Sequence, residues 1–146
     1  MLHKTSLLAA GLGLLLATGC GDTRNELTVS GTVTVNGEPI ENGTISFVAA
    51  DGVAATGGGV IKDGSYTAFV APGRKKVVVL GNKAVGEEPL YQGVPDSPTQ
   101  TTYQTITPTK YNAAHLTPLT AEISENQEGL DFELTGDPPS AQELAG

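Results

Sequence analysis

The 146-residue chain predicts an all-β fold, an antiparallel sandwich of about seven short strands interrupted by one long irregular loop. Two observations carry this expectation. Short segments alternate apolar and polar residues with the period of two that puts one face of a strand in a core, and turn dipeptides separate them. A third observation is negative: no segment repeats its apolar residues with a convincing helical period. The 19 glycines and 9 prolines, with no tryptophan and only three phenylalanines, suit a turn-rich protein whose core is Val, Leu and Ile.

The first strand is LTVSGTVTV, with Leu27, Val29, Val33 and Val35 on one face and Thr28, Ser30, Thr32 and Thr34 on the other. Gly31 sits on the apolar face, which calls for close approach by another segment. Asn36-Gly37 is a hairpin turn signal, and Pro39 stiffens the chain just after it. GTISFVAA is the second strand, with Ile45, Phe47 and Ala49 in phase. The third runs from about Thr56 to Lys62 and includes GGG, a strand with little side-chain volume. Asp63-Gly64 turns into SYTAFVA, where Tyr66, Ala68 and Val70 share a face, and Pro72-Gly73 turns into RKKVVVLG. LTAEIS and LDFEL alternate near the end, with Glu125 to Gly129 read as the turn joining them.

Ahead of this body the chain begins MLHKTS and continues with an apolar run from Leu7 to Ala17, then Ala17-Thr18-Gly19-Cys20. As a helix that run spans roughly 16 Å, about half of a bilayer's hydrocarbon core. It is too short to cross and fits the apolar part of an export signal. The small residues before the only cysteine resemble the bacterial lipoprotein signal, in which the thiol is acylated and becomes the first mature residue. Ala17 stands where that pattern more often has Leu. A lone cysteine offers no disulfide, so Cys20 is expected to be a lipid tether and the fold to hold without cross-links. The expected organisation is a signal peptide over 1–19, a lipid-anchored stalk over 20–26, a β-sandwich domain over 27–135 and a flexible tail over 136–146. Losing Lys4 with the signal moves the net charge from −8 to −9. That balance excludes a basic nucleic-acid footprint.

VSGTVTVNGEPIENGTISFV, with DGSYTAFVAPGRKKVVV further along, resembles the carboxypeptidase regulatory-like domain, a transthyretin-like (prealbumin-like) family. The resemblance rests on Gly31, Gly37, Pro39, Asp63-Gly64-Ser65-Tyr66 and Pro72-Gly73, and extends from about Leu27 to Leu134. TPTKYNAAHL within it is similar to a recurring element of related small lipoproteins. The resemblance implies a Greek-key sandwich that serves as an accessory or interaction module without catalytic residues. Lys75 departs from it, standing where such domains often put an aromatic on the core face, and implies a wetter edge there.

Residues 82–118 lack strand periodicity and form the expected loop, rich in Thr, Gln and Pro. It holds Tyr91, Tyr103 and Tyr111, three of the four tyrosines. On an adaptable loop these are candidate partner-binding groups, because tyrosine offers contact area with few rotatable bonds. The alternative is that they cover the core, with Tyr111 as a packing residue.

The inventory argues against an enzyme. One mature histidine, His115, cannot complete a triad or a zinc site, and no Gly-x-Ser-x-Gly surrounds a serine. Intradiol dioxygenases, which share sandwiches of this general type, need a second His. Hydroxyisourate hydrolases end in Tyr-Arg-Gly-Ser, whereas this chain ends Glu143-Leu144-Ala145-Gly146. Asp51, Asp63 and Glu87-Glu88 form no calcium loop. The expected function is a non-catalytic, exported, lipid-anchored envelope protein with no cofactor beyond the lipid on Cys20. Its expected partners are the membrane and another envelope protein, with no nucleic acid and no small molecule indicated. The alternative is a solute- or glycan-binding lipoprotein that uses the 82–118 loop.

Overall fold

A computed structural model of the chain describes residues 25–52 and 55–145. The leader, Cys20 and most of the stalk lie outside the described residues. Among those described there are nine strands: β1 Leu27–Val35, β2 Glu38–Pro39, β3 Asn42–Ala49, β4 Gly57–Lys62, β5 Ser65–Val70, β6 Gly73–Pro89, β7 Thr99–Thr105, β8 Thr120–Ile123 and β9 Phe132–Leu134. A 3-10 turn spans Thr109–Tyr111, and a short helix α1 covers Ala141–Leu144. The all-β expectation holds. Nine strands in one connected, curled sheet replace the expected seven.

The sheet order is β2-β1-β5-β4-β3-β6-β7, with β8 added to β6 and β9 to β1. The turn signals act as expected. Asn36 and Gly37 both have positive φ, as do Asp63 and Gly64, and each pair lies between antiparallel partners, Val35↔Glu38 and Lys62↔Ser65. The phases expected for β1, β3 and β5 also agree with the structure. Ile45↔Val79 and Phe47↔Val77 face inward across β3 and β6, and Val29↔Ala68 faces inward across β1 and β5.

The inward face buries Val29, Val33, Ile45, Phe47, Ile61, Tyr66, Val77, Val79, Ile123 and Leu134. Phe47, Tyr66 and Phe132 form a tilted triad at its centre, with ring centroids 6.3 to 6.4 Å apart. That spacing is within the range where aromatic pairs attract.

LTAEIS and LDFEL do not pair with each other across Glu125 to Gly129. β8 pairs antiparallel with β6, while β9 pairs parallel with β1 through Val33↔Phe132, Thr34↔Glu133 and Val35↔Leu134. The segment between them is a strap along β1, held by Ser30 N–H to Gln127 O at 2.9 Å and Leu130 N–H to Ser30 O at 3.0 Å. Thr32 N–H donates to Asp131 Oδ1 at 2.8 Å. Gly31 makes room for this strap, since a Cβ there would stand 2.0 Å from the Leu130 carbonyl oxygen. The β4 glycines are explained in the same way, by the protein's own backbone. Cβ atoms at Gly57 and Gly59 would meet the carbonyl oxygens of Phe69 and Thr67 at 2.2 and 2.1 Å.

Two further expectations are corrected. Residues 82–118 are not one irregular loop: β6 continues to Pro89 and returns as β7. Lys75 does not mark a wet edge. It pairs with Ala49 and Ala121 on the inward face, is fully buried, and its Nζ has no hydrogen-bond partner among the described residues. At the start of the tail, Asn36 and Gly136 exchange hydrogen bonds of 2.9 and 3.1 Å. Thr109 Oγ1 also donates to Glu143 at 3.2 Å.

Candidate functional site

The longest exposed structured element among the described residues is the hairpin arm built from the far half of β6 and all of β7. Its ladder runs Asn82↔Thr105, Lys83↔Gln104, Ala84↔Tyr103, then after a bulge at Val85, Gly86↔Thr102, Glu87↔Thr101, Glu88↔Gln100 and Pro89↔Thr99. Beyond Asn82, β6 has left its β3 partner, so the arm is a two-stranded ribbon. Seven residues of β7 extend roughly 24 Å at the usual strand rise.

The sequence forms strands here for reasons other than core burial. Four threonines and a tyrosine in TQTTYQT favour extended backbone, although no apolar face exists to produce an alternating pattern. At the tip Leu90 N–H donates to Pro98 O at 2.7 Å, and Tyr91 N–H donates to Ser97 Oγ at 2.9 Å. Thr99 Oγ1 donates to Glu87 at 3.4 Å along one face.

The three candidate tyrosines separate. Tyr91 at the tip is 58% exposed and Tyr103 on the ribbon 57%. They are joined by Val85, Leu90 and Val94, which are also exposed and which no pattern in the sequence singles out. Tyr111 leaves the contact surface because it packs into the core at 4% exposure. Its phenol donates to Thr135 O at 3.3 Å and accepts from Thr135 N–H at 3.2 Å. The Lys110 ammonium stands 4.9 Å from its ring centroid. Burial alone would raise the Tyr111 phenol, but the hydrogen bonds to Thr135 and the Lys110 charge outweigh it and hold the group below the usual tyrosine range. His115 is exposed.

The base of the arm is rigidly seated. Ile106 N–H donates to Gly81 O at 2.9 Å, and Gly81 N–H donates to the buried Thr107 Oγ1 at 3.2 Å. Thr107 Oγ1 in turn donates to Asn112 Oδ1 at 2.7 Å. Beside this base lies a half-open concavity of about 340 Å³, lined by Val35, Pro39, Ile106 and Pro138 with Glu38, Glu41 and Lys83 among its polar groups.

Among the described residues, no three His, Cys, Asp or Glu are grouped to hold a metal ion. No helix there is long and apolar enough to cross a membrane.

Fold and site together define an all-β protein with a seated, projecting β-arm. No protein-family model matches the chain and no curated protein matches it. Among solved structures it is similar to a 9R-lipoxygenase from Cyanothece PCC8801, with 12% identity and a TM-score of 0.34. The match covers 77% of this chain and 17% of that one. A likeness that low carries no argument about fold or function.

Proposed function

We propose that this protein is a lipid-anchored envelope module, tethered through Cys20, that presents its β6–β7 arm to another envelope protein. We further assign it to the carboxypeptidase regulatory-like, transthyretin-like sandwiches, on the strength of the Gly31, Asn36-Gly37, Asp63-Gly64 and Tyr66 pattern. The single observation that carries the interaction reading is the arm. It exposes Val85, Leu90, Tyr91, Val94 and Tyr103 on a ribbon that contributes nothing to the core. Exposed apolar and aromatic groups gathered on one projection are the usual mark of a contact surface.

Cross-linked capture from membranes tests this reading, using the native chain, a Cys20→Ala variant and a chain with residues 84–104 replaced by a short turn. A stoichiometric protein captured by the native chain and lost on arm removal supports it. Capture that survives arm removal overturns the arm's role, and a native chain found soluble with a free thiol overturns the tether.

A second reading is favoured by the concavity beside the arm base, whose size and mixed lining suit a small solute. A solute at about 100 times its Kd would stabilise the fold by ~2.7 kcal/mol, a shift that a thermal screen detects.

A further inference from the structure

We infer that the outer edge of β7 pairs with β7 of a second copy of this chain, antiparallel, about a two-fold axis at Thr102. The inference specifies one partner of the arm. It rests on the arm being an interaction element and does not need the lipid tether.

β7 ends the sheet order, and its ladder is with β6, so its other side presents backbone donors and acceptors. Proteins normally guard such edges with charge or proline. The two sides of this arm are treated differently. The β6 strand carries Lys83, Glu87, Glu88 and Pro89, whereas Thr99–Thr105 has no charge and no proline. The unguarded edge is the one left open to pairing.

The sequence of that edge points to its occupant. Thr99-Gln100-Thr101-Thr102-Tyr103-Gln104-Thr105 reads almost identically in both directions, differing only by the exchange of Thr101 and Tyr103. Two copies paired about Thr102 therefore place Thr99 opposite Thr105, Gln100 opposite Gln104, Thr102 opposite Thr102 and Tyr103 opposite Thr101. Threonine pairs and aromatic–β-branched pairs are favourable across strands. A two-fold contact requires this self-complementarity, and a heterologous partner strand does not.

Charge agrees with the same register. Within one copy Lys83 lies beside Gln104 and Glu88 beside Gln100. Across the axis each such row becomes Lys83, Gln104, Gln100, Glu88, with a cation at one end, an anion at the other and carboxamides between. No like charges face each other, despite the net charge of −8 on the whole chain. Pairing of seven-residue edges falls at the low end of stable interface sizes. The dimer is therefore weak in dilute solution and strengthens with local concentration.

The test is cysteine cross-linking of the full chain in its host membranes under mild oxidant. Thr102→Cys is expected to give a covalent dimer. Thr99→Cys and Thr105→Cys are each expected to stay monomeric alone and to link when co-expressed. Thr67→Cys, exposed on the sheet body, sets the background, and the unsubstituted chain reports any linking through Cys20. A charge exchange provides an independent arm: Thr102→Glu and Thr102→Lys should each lose the dimer, and their mixture should regain it. Linking at Thr102 no greater than at Thr67 overturns the inference. So does Thr102 linking without the Thr99–Thr105 cross-pair, which would mean another register. Capture of an envelope protein by a strictly monomeric chain sustains the proposed function and overturns only this pairing.

Discussion

Tyr66 and Lys75 show the physical chemistry of this core at its most local. The Tyr66 phenol donates to Leu130 O at 2.6 Å, so one side chain satisfies the strap carbonyl that Gly31 admits. Tyr66→Phe leaves that carbonyl short of a donor and should lower stability by about 1 kcal/mol, read as a urea midpoint. Burial, with the nearby Asp131 charge, pushes this phenol well above the usual tyrosine range. The folded state therefore keeps its proton where the unfolded chain loses it. Stability from this group is complete below about pH 10 and declines as pH rises above it. The alkaline unfolding curve of Tyr66→Phe should accordingly be flatter than that of the native chain. Lys75 acts in the opposite direction, since a buried Nζ without a partner costs free energy. Lys75→Met fills the same space without the donor and should raise stability by about 1–3 kcal/mol in the same assay.

At the scale of elements, the strap and the arm are different kinds of structure. The strap is docked by backbone ladder and by the absence of a side chain at Gly31. Gly31→Ala forces the Leu130 carbonyl away and should cost about 1–3 kcal/mol by overpacking, measured by thermal unfolding. The arm has no core and two free edges, and a lone two-stranded ribbon is marginal in water. Amides of residues 83–89 and 99–105 should exchange with solvent well before those of 75–81, which pair with β3 within the body of the sheet. Replacing residues 84–104 by a short turn should leave the unfolding midpoint of the body nearly unchanged. A large loss in that variant would mean the arm braces the sheet. The arm was also the element hardest to read. TQTTYQT has strand-forming residues but no buried face, so it offers no alternation to detect. The β6 continuation past Asn82 is likewise exposed and shows no alternation.

For the whole molecule, every core residue among those described lies between Val29 and Leu134, so the proposed tether stands apart from the core in sequence. Under that proposal Cys20→Ala should move the protein from the membrane to the soluble fraction, with the unfolding midpoint of the body unchanged, read by fractionation and by calorimetry. The sequence alone determined the all-β class, the phases of β1, β3 and β5, both glycine hairpin turns and the need for something close at Gly31. Period-two alternation and turn chemistry are local properties, carried by residues adjacent in the chain. What only the tertiary structure decided depends on partners distant in sequence. β9 joins β1 in parallel about 100 residues away. Lys75 is drawn inside against its own polarity, and burial of Tyr111 selects the packing role over the contact role that the sequence left open. The nominal loop becomes a ribbon because backbone pairing alone is enough to order a segment with nothing to bury.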